Sequence, residues 1–255
     1  MRRRDPAGAG VTRRDDDEPI VQVAPVSASV PEDDAERGLQ RLYPHPHGLV
    51  RLGLIAGAGG ASAHANGTSR GLGGTADLRV LRTLRMQADC VLVGGRSARV
   101  EAYGAIRLPA AMSSDRVSTG RPAAPTLVIA TFTGDLPTSV GPASALVMTT
   151  RTSPAHARLG EEWGASMVMA GEHELDLAAG LAALAERGLT RVLCEGGPGL
   201  AVQLLEAALA GDYCLTTSPI EGAPGAPRVP PVPDGMRRAH RLESGEYAME
   251  RWVRG

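Results

Sequence analysis

The sequence predicts an α/β fold, in which a mostly parallel central sheet carries helices on both faces. Short apolar runs bounded by glycine alternate along the chain with segments whose apolar residues have helical spacing. Three of the runs end in glycine-rich turns, as strands of an open sheet do beside a bound ligand. The last two runs flank a short turn at Ser244 and Gly245, which predicts an antiparallel C-terminal hairpin.

Residues 1–36 contain clusters of arginine and aspartate, together with proline, serine and few large apolar side chains. A segment of this composition buries too little apolar surface to fold alone, so we expect a disordered N-terminal arm. The folded domain is expected to span residues 37–255. Aromatic residues make up only 3% of the chain, so its core has to be built mainly from alanine, valine and leucine.

The predicted strands are mostly apolar segments that are short and bounded by turn-forming residues. They are residues 49–56, 89–93, 126–131, 145–149, 166–170, 191–194, 213–218, 237–242 and 247–253. The proline and glycine residues between positions 222 and 233 predict a loop before the hairpin.

The clearest predicted helix is residues 75–88, where leucines recur at helical spacing and Thr75 is a candidate N-cap. Residues 176–188 begin with an acidic residue and end at a glycine, which are the usual signals of a helix start and stop. Further helices are expected at 154–163, from residue 198 to 209, and between the 89–93 strand and residue 103.

Charge and composition argue against several classes of function. A net charge of −1 gives no electrostatic basis for binding nucleic acid or an acidic membrane surface. Every one of the 27 residues counted as Lys or Arg is an arginine, which excludes a lysine Schiff base or P-loop lysine. No apolar run reaches about 18 residues, so we expect neither a membrane span nor a signal peptide.

The cysteines and histidines indicate a reducing environment and no metal. Cys90, Cys194 and Cys214 each lie in an apolar run without a CxxC spacing, which favours buried free thiols and a cytoplasmic location. His45 and His47 are two residues apart between prolines, but no third ligand is near. We therefore expect a surface connector there and no metal site.

The three glycine-rich turns are residues 56–60, 93–97 and 195–199. The last of them follows Glu195 and leads directly into a helix, whose first turn offers unpaired backbone N–H groups and the positive end of the helix dipole. None of the turns has the GxGxxG spacing of a Rossmann dinucleotide site. With Ser97, Arg85 and Glu195 close by, the three turns together predict a phosphorylated ligand.

Beyond these local patterns, residues from about 50 to 253 resemble the stand-alone pyrimidine reductases related to the C-terminal domain of the bifunctional riboflavin-biosynthesis deaminase-reductase. That resemblance implies the dihydrofolate reductase-like fold. The zinc-deaminase signature, His-x-Glu with a later Pro-Cys-x-x-Cys, is absent from the chain. The matching segments are residues 66–69, 71–77, 91–103, 191–200 and 214–219.

The resemblance implies NADPH-dependent reduction of the ribosyl group of 5-amino-6-(5-phosphoribosylamino)uracil to a ribityl chain, by a protein that is often a homodimer. It implies that Ser69 and Arg85 hold the phosphoribosyl part of this small-molecule substrate. Glu195 would bind the substrate beside the nicotinamide and act as the catalytic residue. The cofactor-binding residues it implies are Ala56, Gly94, Ser97, Glu101, Gly196, Gly197 and Leu200.

Simpler structural roles are open for some of these residues. Arg85 is either a fork for phosphate or a solvated helix arginine, and Ser97 can cap a helix as well as donate to a phosphate oxygen. Ser69 is first of all a turn residue. Glu195 is harder to explain by packing, because a carboxylate at a strand end has to be solvated or paired.

The chain departs from the family pattern at two turns and also at residues 219–225, which are displaced from the usual Gly-Gly spacing and place Glu221 in a normally apolar position. The family usually has Ser-x-Asp-Gly after its first strand, whereas this chain has glycine at both Gly57 and Gly59. Arg96 stands where a glycine is usual. Three hypotheses follow: an NADPH-dependent reductase of this family, a non-catalytic homologue that binds a nucleotide or pterin-like ligand, and a reductase adapted to a specialised metabolite.

Overall fold

The computed structural model describes residues 19–24 and 35–255. Within these residues a single ten-stranded sheet has the order β1-β9-β10-β8-β2-β7-β3-β4-β5-β6. The strands in chain order are Val21–Ala24 (β1), Val50–Ala58 (β2), Cys90–Gly94 (β3), Thr126–Ala130 (β4), Ala145–Thr149 (β5), Met167–Met169 (β6), Val192–Gly196 (β7), Asp212–Glu221 (β8), Met236–Ser244 (β9) and Tyr247–Arg254 (β10).

Neighbouring strands from β8 to β6 in this order run parallel, and β1, β9 and β10 add antiparallel partners at the other side. The predicted mixed, mostly parallel sheet and its C-terminal hairpin are therefore confirmed. The helices are Ala35–Leu42 (α1), Thr75–Gln87 (α2), Gly95–Val100 (α3), Ala110–Ser118 (α4), Pro154–Trp163 (α5), Leu177–Ala185 (α6) and Pro198–Glu206 (α7).

Helices cover both faces of the sheet because the side chains of each strand alternate between two cores. In β4, Leu127 and Ile129 belong to the core beneath α2 and α5. Val128 and Ala130 belong to the opposite core beneath α6 and α7. Burial of each such Val, Leu or Ile side chain contributes about 1.5–3 kcal/mol, so two aliphatic layers compensate for the scarcity of aromatic residues.

The helix termini follow the sequence signals in part. The side chains of Ser153 and Asp176 cap α5 and α6 by accepting hydrogen bonds from backbone N–H groups of the first turn. The candidate N-cap at Thr75 is wrong, since Thr75 is already helical and Gly74 occupies the cap position without a side-chain bond. Helix α4 was not predicted.

The segment expected as an arm is in part structured. Val21–Ala24 pairs with β9 as an edge strand, and Ile20 is buried in the core. Helix α1 also begins within the expected arm, at Ala35. The rest of that expectation lies outside the described residues.

The three cysteines are buried free thiols. No helix in the described ranges is long and apolar enough to cross a membrane. His45 is buried and its Nε2 lies 3.0 Å from the Leu49 carbonyl oxygen, so the surface connector expected there is not found at His45. Among the residues that the structure describes, no group of three His, Cys, Asp or Glu side chains has the arrangement of a metal site.

Candidate active site

A cleft of about 1200 Å³ lies at the carboxyl ends of β2, β3 and β7. It is lined on one side by Gly94, Ser97 and Glu101, and on another by Glu195 and the first turn of α7. Two of the three glycine-rich turns thus open into the same space, where parallel strands of an α/β sheet present their ligand-binding ends.

Glu195 stands at the end of β7, and its side chain is only 4% exposed. Its two carboxylate oxygens accept hydrogen bonds from Arg85 Nε at 2.6 Å and Arg85 Nη2 at 2.7 Å, in the fork geometry of a bidentate pair. The Tyr103 hydroxyl donates a third bond, of 2.6 Å, to Glu195 Oε2. A carboxylate accepts about four hydrogen bonds, so about one acceptor position of Glu195 remains for a ligand.

The surroundings of Arg85 and Tyr103 fix the protonation of these two side chains. Burial acts to lower the pKa of Arg85, but the charge of Glu195 and its hydrogen bonds outweigh it and raise the pKa. Burial, with the adjacent Glu195 charge, raises the pKa of Tyr103 well above its usual value. Arg85 therefore stays a cation and Tyr103 a hydrogen-bond donor.

The turn after β3 and the turn after β7 touch. An added Cβ at Gly94 would lie 3.7 Å from the Gly197 amide nitrogen, and one at Gly197 would overlap Ser97 Oγ. Gly197, Pro198, Gly199 and Leu200 all line the cleft at the N-terminus of α7. The glycines thus allow the backbone of two turns and the Ser97 hydroxyl to share one small region.

Two of the residues implied for cofactor binding do not line the cleft. Ala56 is buried within β2, and Gly196 lies behind its neighbours. Gly196 has a φ of 95°, a conformation that favours glycine, and the Gly196–Gly197 peptide bond is cis. No local sequence pattern predicts this cis bond.

Ser69 and Glu101 both line the cleft, and they contact each other. Glu101 Oε1 accepts a hydrogen bond of 2.6 Å from the Ser69 backbone N–H. The Glu101 carbonyl oxygen accepts another bond from the Arg70 guanidinium. Glu101 therefore ties the loop before α2 to the end of α3.

Two polar residues of the cleft, Tyr103 and Asp77, are not predicted from the sequence as site residues. Tyr103 lies in a segment that matches the family, but its contact with Glu195 has no local signal. Asp77, in the first turn of α2, lines the cleft and receives a hydrogen bond from the Thr216 side chain. An acidic residue in the first turn of a helix is usually explained by its favourable interaction with the helix dipole. The sequence alone therefore does not identify Asp77 as a residue of the cleft.

The third glycine-rich turn, residues 56–60, does not line the cleft, although Leu54 and Ile55 before it do. A Cβ at Gly57 would lie 2.8 Å from the Ile220 carbonyl oxygen and 3.0 Å from the Gly222 nitrogen. Gly59 has φ of 78° and open space where a Cβ would be. The glycine at position 57 is therefore required by the close approach of β8, whereas the glycine at 59 is not required by packing.

Comparisons with known proteins agree with this architecture. A family model described as the RibD C-terminal domain matches residues 49–243, which is more than half of the chain. The chain therefore belongs to the RibD C-terminal domain family. A search of curated proteins finds no match.

Solved structures show the same fold. A pyrimidine reductase-like protein of Corynebacterium diphtheriae is 23% identical, with a TM-score of 0.67 over 80% of this chain and 91% of that one. The riboflavin biosynthesis reductase Rib7 of Saccharomyces cerevisiae is 13% identical, with a TM-score of 0.54 over 86% and 99%. The chain therefore shares the fold of these two proteins.

The chain also resembles part of a larger protein. A diaminohydroxyphosphoribosylaminopyrimidine deaminase/5-amino-6-(5-phosphoribosylamino)uracil reductase of Thermotoga maritima is 18% identical, with a TM-score of 0.59 over 82% of this chain. The match spans 57% of that protein's length.

Proposed function

We propose that the protein is an NADPH-dependent reductase whose substrate is 5-amino-6-(5-phosphoribosylamino)uracil or a related phosphoribosylamino-pyrimidine. The observation that carries the proposal is the convergence of two glycine turns and the Arg85–Glu195 pair on one cleft. Family membership supports the reductase class, and the fold places the cleft where α/β proteins bind nucleotides.

The cleft has features that suit a dinucleotide. The Leu200 amide donates to the Gly197 carbonyl, so the amides of Gly197 and Gly199 are the first-turn donors that we assign to phosphoryl oxygens. Ser97 Oγ lies beside them and is assigned to the same group, while Gly94 leaves room for its approach. When bound, the cofactor supplies the hydride, and the protein supplies orientation and charge.

Glu195 is the residue that we assign to the reacting part of the substrate. Its remaining acceptor position can take an N–H or O–H of the pyrimidine, while Arg85 and Tyr103 prevent the side chain from rotating. Arg85 was expected to meet the substrate phosphate, but its Nε and Nη2 are engaged by Glu195. We therefore propose that Arg85 acts mainly by positioning Glu195, and that Ser69 contacts the phosphoribosyl group.

The test is NADPH binding followed by turnover on the purified protein. Binding is measured by fluorescence titration, and turnover by NADPH oxidation in the presence of 5-amino-6-(5-phosphoribosylamino)uracil, with a known family reductase as the positive control. We expect saturable binding and substrate-dependent oxidation. Binding without oxidation under conditions where the control enzyme works would reject the proposed reaction.

The turn at residues 57–60 favours a second candidate function. It presents no polar side chain to the cleft, whereas the family pattern has a serine and an aspartate there. A homologue that binds the ligand without turnover, or that reduces a bulkier metabolite, would fit this difference. Ligand-induced thermal stabilisation without oxidation of NADPH supports the first version, and oxidation with other substrates in a screen supports the second.

A homodimer is our proposal for the assembly. The outer edge of β9 is paired with β1, and β10 lies between β9 and β8, so neither strand of the C-terminal hairpin has a free edge for a dimer contact. The molar mass, measured by light scattering as the protein leaves a size-exclusion column, would distinguish a dimer from a monomer.

A further inference from the structure

Asp77 differs from the other acidic side chains of the cleft. Within the described residues, each of the others is held by arginine, and no arginine contacts Asp77. These pairs are Glu101 with Arg70, Glu195 with Arg85, and Glu250 with both Arg238 and Arg241. Among the described residues, Asp77 is therefore the acidic side chain of the cleft that has no ion pair with an arginine.

The fold provides a specific place for the Asp77 side chain. Gly73 makes room for it, because an added Cβ there would lie 2.8 Å from Asp77 Oδ2. The buried Thr216 hydroxyl on β8 donates a hydrogen bond to the carboxyl. Ile55 of β2 lines the cleft beside Gly73, so the carboxyl lies between an apolar side chain and one fixed donor.

The electrostatic surroundings favour the protonated form. Burial raises the pKa of Asp77 to about 6; the Thr216 hydrogen bond opposes this shift and the charge of Glu195 adds to it. Glu195 on β7 is the charged group that acts on Asp77, β8 faces it with neutral Thr216, and Arg85 on its own helix is engaged by Glu195. A carboxyl of this kind can exchange a proton close to neutral pH, as a general acid must.

We propose that Asp77 is a catalytic acid of the cleft, which donates the proton that completes reduction of a carbon–nitrogen double bond. This inference rests on the proposed function. The C=N bond forms when the ribosyl ring of the phosphoribosylamino group opens, as the C1′–O4′ bond breaks and the amino N–H proton passes to O4′. The carbon of this C=N bond accepts a hydride with its two electrons from the reduced nicotinamide dinucleotide, which is oxidised. The π pair moves to nitrogen, nitrogen takes the proton of the Asp77 carboxyl, and the resulting carboxylate regains a proton from water.

The first test uses the Asp77→Asn variant, with Asp115→Asn on the exposed surface of α4 as a matched control. We expect kcat of Asp77→Asn to fall at least about 100-fold, the general contribution of acid–base catalysis, while the Kd for NADPH changes less than twofold. Asp115→Asn should keep the wild-type kcat. A wild-type kcat in Asp77→Asn would overturn the role of Asp77.

The second test uses pH and does not depend on the Asp77→Asn variant. Carbon-13 NMR of labelled aspartate in the wild-type protein should show one carboxyl titrating near pH 6, and its shift in Thr216→Val assigns it to Asp77. Since the Thr216 bond lowers the pKa of Asp77, Thr216→Val should move both this titration and the alkaline limb of kcat to higher pH. The proposal would be contradicted if the alkaline limb of the kcat profile stayed unchanged in Thr216→Val. It would also be contradicted if the Asp77 carboxyl titrated below about pH 5.

The outcomes separate the two proposals. If the wild type turns over the substrate and Asp77→Asn does so equally well, the proposed role of Asp77 is rejected and the proposed reductase function is retained. NADPH binding without turnover on any substrate of the screen rejects both.

Discussion

Glu195 shows how one side chain takes its role from partners that are remote in sequence. Arg85 comes from α2 and Tyr103 from the segment after α3, and both donate to the same carboxylate. The sequence identified Glu195 and Arg85 separately, because a carboxylate after an apolar run and a helical arginine are local patterns. Their pairing depends on which strand lies beside which helix, and at a separation of 110 positions no local sequence pattern signals it.

Glu195→Gln tests this arrangement. The substitution leaves the partly buried Arg85 guanidinium without a counter-charge, so we expect a loss of about 2–3 kcal/mol in the free energy of unfolding and a loss of turnover. The matched control is Glu243→Gln, which removes a more exposed pair with Arg241 and should cost less than about 1 kcal/mol. Urea denaturation measures the free energy of unfolding of both variants. Equal losses would show that the Arg85–Glu195 pair stabilises the fold no more than an exposed ion pair does.

At the scale of elements, the α3–α7 junction depends on Gly197. An alanine there would displace the Ser97 hydroxyl, which can rotate away at little cost in stability. We expect Gly197→Ala and Ser97→Ala each to raise the Kd for NADPH about tenfold, and the double variant to raise it no further, because both remove the same contact. Additive losses in fluorescence titrations would mean that the two residues act independently.

Strand β1 gives a second test at this scale. Ile20 is 2% exposed and packs in the core, whereas the adjacent Val21 is 36% exposed. Ile20→Ala should lower the free energy of unfolding by about 2–4 kcal/mol, and Val21→Ala by less than about 1 kcal/mol. Denaturant titrations measure the free energy of unfolding of both variants. If Ile20→Ala and Val21→Ala cause similarly small losses, the segment that contains β1 does not pack on the domain.

The elements that were not predicted share a physical cause. Helix α4 buries Met112 and Arg116 rather than an apolar stripe. Arg116 donates to the carbonyl oxygens of Met86, Ala88 and Pro122, so a buried cation rather than hydrophobic periodicity holds the helix. Strand β1 is four residues long and lies in a charged, proline-containing segment, where pattern alone indicates an arm. For helices and strands with strong apolar periodicity, the boundaries predicted from the sequence lie close to those observed in the structure.

For the whole molecule, two buried histidines predict loss of stability in acid. Burial, with the nearby charge of Arg251, lowers the pKa of His240 to about 4. Burial and Arg51 lower the pKa of His45 to about 3. Because the unfolded chain takes up these protons first, stability is present above the ordinary histidine value near 6.5 and is lost as the pH falls towards the folded values.

His240→Asn isolates one of these contributions. Between pH 7 and pH 4.5 the wild type should lose about 2–3 kcal/mol more unfolding free energy than the variant, since the variant has no proton to take up at this position. The comparison cancels the other groups, including Asp77, whose raised pKa acts with the opposite sign. Urea titrations at each pH measure the free energy of unfolding of both proteins. If the two free energies change equally with pH, His240 is not held neutral by the fold.

The contact at Gly57 also limits which side chains this turn can accept. A serine at position 57 would bring its Cβ within 2.8 Å of the β8 backbone, so serine does not fit there while β8 keeps its course. An aspartate at position 59 meets no such obstacle, and aspartate tolerates the left-handed conformation better than most residues. Building the Ser-x-Asp pattern into this turn would therefore take two separate stages, with the carboxylate accessible first and the hydroxyl only after the neighbouring strand has been rebuilt.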